Sequence, residues 1–90
     1  MVTVFMQPSL RKYIGGNTSI NVEGSTLREL ISNMDSLYPG VSEILINKED
    51  PTRLARGLAA VIDGEPTNMG LLTHLNSHSE VHFLPSIAGG

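Results

Sequence analysis

Val81-His82-Phe83-Leu84-Pro85-Ser86-Ile87-Ala88-Gly89-Gly90 closes the sequence. Its first four residues alternate like a strand, with Val81 and Phe83 on one face and His82 and Leu84 on the other. Its last two are a diglycine. Glycine has no Cβ, so two in succession let a terminal carboxylate slide into a channel that any side chain would obstruct. On this reading the carboxylate of Gly90 is the expected functional group, and Ile87, Ala88 and Gly89 form the tail that delivers it. The competing reading is a frayed end that happens to be rich in glycine. An ionised carboxylate is a poor electrophile, so chemistry at Gly90 would begin by activating it, most simply as an acyl-adenylate made with ATP.

Working outward from this run, the clearest local signal is Thr26-Leu27-Arg28-Glu29. It is a capping box, which starts a helix by satisfying orphan amide donors. Leu27, Leu30, Ile31, Met34 and Leu37 then recur at helical spacing as one apolar stripe, and Tyr38-Pro39-Gly40 stops it. Before the helix, Val2 to Met6 reads as a first strand ended by Gln7-Pro8-Ser9. Thr18 to Val22 reads as a second, with Ile20 and Val22 on one face, closing a hairpin across the turn Gly15-Gly16-Asn17.

After the helix, Val41 to Ile46 is a short second helix or a turn under the sheet. Asn47 to Arg56 is polar, contains Pro51, and is expected to be a long surface loop, the least ordered part of the chain. Leu58-Ala59-Ala60-Val61-Ile62 is a buried strand entering a tight turn at Asp63-Gly64. Met69 to Leu75 is a loop or helical turn, and Glu80 to Leu84 the final strand. The order gives an α+β chain, a β-grasp: a mixed sheet of about four to five strands with one main helix packed on one face. Residues 1–90 are expected to form a single domain with 86–90 as a flexible tail. Leu27, Leu30, Ile31 and Met34 should pack against Val4, Ile20, Val61, Val81 and Phe83.

Composition limits the chemistry. Nine acidic residues against six basic ones give a net charge of −3, which supplies no attraction to nucleic acid or an anionic membrane. No cysteine occurs, so thiolate metal sites and a cysteine nucleophile are absent, and any sulfur handled comes from outside. The start lacks the basic and long apolar regions of a signal peptide, and no run is long enough for a membrane span, so a cytoplasmic location is expected. No GxxxxGK[ST] phosphate loop is present.

The ending Phe83-Leu84-Pro85-Ser86-Ile87-Ala88-Gly89-Gly90 resembles that of the small sulfur carriers related to ubiquitin. These are the molybdopterin-synthase small subunit, the thiamine sulfur carrier and the carrier of the thiocarboxylate route to cysteine. Gly24 with Thr26-Leu27, Tyr38-Pro39-Gly40 with Val41-Ser42-Glu43, and Val61-Ile62-Asp63-Gly64-Glu65 extend the resemblance along nearly the whole chain. Leu10-Arg11 before Gly15-Gly16, with the long Asn47 to Arg56 loop, looks most like the cysteine-route carrier. The sequence departs from the family in having Leu58-Ala59-Ala60 where bulkier β-formers are common, and Ser77-His78-Ser79 where an Asp-Gly-Asp type of turn is.

The resemblance implies a co-substrate, not an enzyme, with no catalytic residue and no bound cofactor of its own. An adenylyltransferase similar to ubiquitin-activating proteins would spend ATP to adenylate Gly90. A sulfurtransferase or persulfide donor would then leave a thiocarboxylate, and a sulfur-accepting synthase would take the sulfur. In the cysteine route the thiocarboxylate attacks an activated serine derivative, an acyl shift gives an amide, and a metalloprotease releases cysteine. In the molybdopterin route a pterin precursor receives the sulfur. A ubiquitin-like modifier joined through Gly90 to target lysines shares the adenylate and is the alternative; a plain interaction module would need no tail chemistry.

Other residues compete for a role. His74, His78 and His82 fall four apart, yet the surrounding pattern puts His78 in a turn and His82 on a strand, so no metal site is expected. Leu84 and Ile87 should lie away from the helix, as an exposed patch beside the tail or as a partly buried core edge, and Leu84 and Pro85 are the candidates for docking a partner. Arg11 and Lys12 either steer an acidic partner or are simply solvated, the latter being favoured.

Overall fold

Thr26 and Glu29 start α1, Leu27–Leu37, in the computed structural model, which describes residues 1–67 and 69–86. The Glu29 amide donates to Thr26 Oγ1 at 3.2 Å, and the Glu29 carboxylate reaches back to the Ser25 amide at 2.9 Å. The first bond pairs a donor that the first turn leaves orphaned, as expected of the capping box; the second departs from it by one residue, tying Ser25, which precedes the N-cap, to the helix. Leu27, Leu30, Ile31 and Met34 are fully buried. Leu37 departs from the expected stripe: it is 59% exposed. The helix ends at Leu37, and Tyr38 packs against the core beyond it.

Five strands form one sheet: β1 Val2–Met6, β2 Ser19–Val22, β3 Leu58–Ile62, β4 Glu65–Pro66 and β5 Glu80–Pro85, in the order β2-β1-β5-β3-β4. β1 and β2 are antiparallel with Val4 opposite Ile20. β5 runs parallel to β1 with Val4 opposite Val81, and antiparallel to β3 with Ala60 opposite Phe83. Val2, Val4, Met6, Val22, Ala60, Val81 and Phe83 are buried in a single core cluster with the α1 residues.

Val61 is not among them, contrary to the sequence expectation. It pairs with His82, and His82 alternates with the core residues Val81 and Phe83, so Val61 lies on the other face. Ala60, only 2% exposed, holds the core position. At the end of β3, Asp63 and Gly64 both have positive φ, 52° and 86°, the pair a two-residue hairpin turn requires. The turn was legible in the sequence; the two-residue return strand β4 was not.

The expected β1–β2 pairing is present, but the connection is more than a turn. A 3-10 helix spans Pro8–Ile14, with Pro8 in its first turn and Gly15 closing it in the left-handed region. Ile14 is buried beneath it. Gly24 lets the β2–α1 connection press on the helix: a Cβ there would come within 2.8 Å of Leu30 Cα.

Val41–Leu45 is a short helix, α2, with Val41 and Leu45 buried. The Asp35 carboxylate caps its approach, accepting from the Ser42 amide at 3.1 Å, Ser42 Oγ at 2.9 Å and the Gly40 amide at 3.0 Å. The Ser42 bonds, with Gly40 adding to them, hold Asp35 below the ordinary carboxylate range.

The segment 47–56 is better organised than its composition suggested. Ile46 and Leu54 form a β-bridge, the Asn47 amide donates to the Arg53 carbonyl at 2.9 Å, and the Ala55 amide to the Leu45 carbonyl at 2.9 Å. Asn47 Oδ1 accepts from the amides of Glu49 and Asp50. Hydrogen bonds from the Thr52 hydroxyl and amide lower the pKa of Asp50, with Arg53 contributing. Further on, Gly70–Leu72 is a 3-10 helix. The strap after it crosses the start of α1, where the Leu27 amide bonds the Thr73 carbonyl and the Leu75 amide the Ser25 carbonyl. No helix of the described residues is long and apolar enough to cross a membrane.

Candidate functional site

The site begins where β5 ends. β5 has β1 on one side and β3 on the other, and its Val81 and Phe83 side chains are fully buried. Ladder bonds to both neighbours and two core anchors fix this strand in place. The Ser86 amide then donates to the Gly57 carbonyl at 2.8 Å, which ties the residue after β5 to the turn that precedes β3. Ile87, Ala88, Gly89 and Gly90, the expected tail and the residue to which the family resemblance gives sulfur carriage, lie outside the described residues.

Leu84, at 39% exposure, and Pro85 are both exposed. Leu84 projects from the sheet face opposite α1, as the alternation of β5 requires. It lines a shallow, mainly apolar pocket of about 360 Å³ with Phe5, Pro8, Arg11, His82 and Pro85. The Phe5 and His82 rings are stacked, with centroids 4.3 Å apart and planes 6° from parallel. His82 Nε2 lies 3.9 Å from Glu80 Oε1. Of these, the sequence pointed to Leu84 and Pro85 but not to Phe5 or Pro8. The available signal was the odd position of Phe5 in β1, which alternation sends to the face that Val4 does not occupy.

A second groove flanks the same strand end. Arg53, Arg56, Gly57, Leu58, Thr67 and Ser86 are among its lining, and it encloses about 690 Å³. The end of β5 therefore stands between an apolar pocket on one side and, on the other, a polar groove in which Glu49 and Asp50 match Arg53 and Arg56 in number.

Arg11 is not merely solvated: its Nε donates to the Met6 carbonyl at 3.1 Å, bracing the connection after β1. Lys12 Nζ lies 5.3 Å from the centroid of the Tyr13 ring. The histidines are dispersed. His74 bridges to Thr26, His78 occupies a turn, and His82 stands on β5. Among the described residues no group of three His, Cys, Asp or Glu side chains is placed to hold a metal ion. The two shifted carboxylates, Asp35 and Asp50, are both engaged in capping turns.

The fold is that of a ubiquitin-like β-grasp protein, one mixed sheet of five strands with α1 across one face. Residues 8–90 match the model of the ThiS family, and the chain belongs to that family of ubiquitin-like sulfur carriers. The chain is a small carrier protein rather than an enzyme. It is 34% identical over 91 residues to the sulfur carrier protein CysO of Mycobacterium tuberculosis, covering 99% of this chain and 98% of that one. The crystal structure of that CysO superposes with a TM-score of 0.91 at 31% identity, over 97% of this chain and 100% of the other. The Amycolatopsis orientalis BexX/CysO complex matches with a TM-score of 0.87 at 28% identity, over 100% of both chains. Small archaeal modifier protein 1 of Methanosarcina acetivorans shares the fold, with a TM-score of 0.78 at 23% identity, over 99% of this chain and 95% of that one.

Proposed function

We propose that Gly90 carries sulfur as a thiocarboxylate and that the sulfur goes to the synthesis of cysteine. What supports the reading most is that the family similarity runs through Gly90 itself, in a chain whose curated relatives are sulfur carrier proteins named CysO. An activating partner joins the Gly90 carboxylate to the α-phosphate of ATP and releases pyrophosphate. Hydrosulfide adds to the acyl carbon and AMP departs, so one carboxylate oxygen is replaced by sulfur. The resulting sulfur is nucleophilic at neutral pH, where the carboxylate was not. It displaces the leaving group on Cβ of an activated serine derivative, giving a thioester. The free amine of that product then takes the acyl group from sulfur, and hydrolysis of the new amide frees cysteine and restores Gly90.

The chain acts in this scheme as a co-substrate. Leu84 and Pro85, beside the Phe5–His82 stack, are the surface on which the activating partner rests. That a related CysO forms a crystallised complex with BexX supports a stable partner contact.

The test combines the protein with ATP, a cognate activating enzyme and sulfide, and reads its intact mass. The expected product gains the difference between one sulfur and one oxygen, located at Gly90 by fragmentation. Deleting Gly90 or appending one alanine removes the gain while leaving the circular dichroism spectrum unchanged, because an unhindered carboxylate no longer reaches the activating site. An extended variant that gains sulfur as well as the original would overturn the reading. Amide linkage to lysines with no thiocarboxylate would replace it with the modifier reading.

A further inference from the structure

Met69 and Leu72 are the most exposed large apolar side chains of the described residues, at 61% and 65%. They are three residues apart at the 3-10 helix Gly70–Leu72, and that spacing places them on the same side. Leu71 between them is 1% exposed and anchors the turn in the core. With Thr52, and with Arg28 from α1 and Arg53 from the preceding loop, they line a groove of about 410 Å³. Arg28 Nη2 donates to the Pro51 carbonyl at 3.3 Å, which braces loop against helix. Arg53 is extended into solvent, 78% exposed, with Nε 3.5 Å from Asp50 Oδ2.

Charge gives this groove a direction. Among the described residues its charged lining is the two arginines, with the Asp50 carboxylate beside Arg53, although the chain as a whole carries a net charge of −3. Single exposed apolar residues are ordinary on a protein surface. Here two adjoin two guanidinium groups, Arg28 held to the Pro51 carbonyl and Arg53 with Asp50 on its Nε side, and an occupant that brings carboxylates is favoured both in encounter and in orientation. Arg28 belongs to α1, which covers one face of the sheet, whereas Phe5, His82 and Leu84 lie on the other. A partner engaged with Leu84 therefore leaves this groove open.

We propose that the groove is a second docking site, taking an acidic segment of a partner protein that carries an apolar anchor side chain. The anchor lies against Met69 and Leu72, and its flanking carboxylates meet Arg28 and Arg53. The proposal does not depend on the chemistry of Gly90, so the two stand or fall separately.

The test titrates isotope-labelled protein with a short peptide of alternating glutamate and leucine at low salt, read by amide chemical shifts. Saturable shifts are expected at Arg28, Thr52, Arg53, Gly70, Leu71 and Leu72, weakening as salt is added. Arg28→Glu combined with Arg53→Glu should weaken binding roughly tenfold. Leu72→Ser should also weaken it and leaves the Arg28–Pro51 bond intact, so a disturbed loop is not confused with a lost site. Shifts centred on Phe5, His82 and Leu84, equal binding of a lysine–leucine peptide, or the same shifts appearing with protein concentration alone would each overturn the proposal. So would the absence of any shift at millimolar peptide.

Discussion

The same strands present two very different faces. Toward α1 they place Val2, Val4, Met6, Ala60, Val81 and Phe83, none more than 2% exposed. Away from it they place Thr3, Phe5, Val61 and His82, half-buried, and Leu84, exposed. Only there does an aromatic pair stack at the edge of an open pocket. One face is covered by α1 together with Ile14, Val41, Leu45 and Leu71, and the other carries the open pocket beside Leu84. Burial and exposure thus alternate along a single strand: Phe83 anchors β5 in the core, and its neighbour Leu84 points outward.

That division predicts a steep gradient of mutational cost. Leu30→Ala removes a fully buried side chain at the middle of the covered face and should destabilise by about 2–5 kcal/mol in denaturant unfolding. A variant as stable as the parent would mean that α1 does not carry the core. Gly24→Ala should cost about 1–3 kcal/mol, because its Cβ would meet the Leu30 backbone rather than a flexible side-chain tip.

Asp35→Ala should show a smaller, pH-dependent loss. The hydrogen bonds from Ser42 and Gly40 lower the folded-state pKa, so Asp35 contributes stability above the ordinary value of 3.8 and loses it as pH falls through the lower folded value. Melting temperatures of parent and variant should differ at neutral pH and converge toward strong acid; a constant difference would break the assignment. Leu84→Asp should change stability least, by within about 0.5 kcal/mol, yet raise the KM of the activating partner for this protein. If Leu84→Asp unfolds the chain, the open face belongs to the core and the comparison fails.

How much of this was legible varies with the physics behind each element. Thr26 and Glu29 announce α1 because capping is a local interaction, written within four residues. Gly15, Asp63 and Gly64 announce turns for the same reason. The facing of β3 was not legible, since Leu58-Ala59-Ala60-Val61-Ile62 is apolar throughout and has no alternation to read. Only pairing with β5 sends Ala60 inward and Val61 outward. The Pro8–Ile14 helix had signals at both ends, Pro8 and Gly15, but too few apolar positions between them to show a period. Segment 47–56 looked loose by composition, whereas its polar side chains are spent on its own backbone. For the site, alternation in the last strand placed Leu84 correctly. Phe5 and Pro8 join it only through the parallel pairing of β1 with β5, a contact between the two ends of the sequence.

That pairing also governs when the molecule becomes usable. β5 is the last described strand to leave the ribosome and occupies the middle of the sheet, so β1 must wait for nearly the whole chain before its parallel neighbour arrives. Contacts this distant in sequence are slow to form and come late in assembly. A half-made or misfolded chain has no pocket between Phe5 and Leu84, so under the docking proposed at Leu84 only finished molecules are engaged.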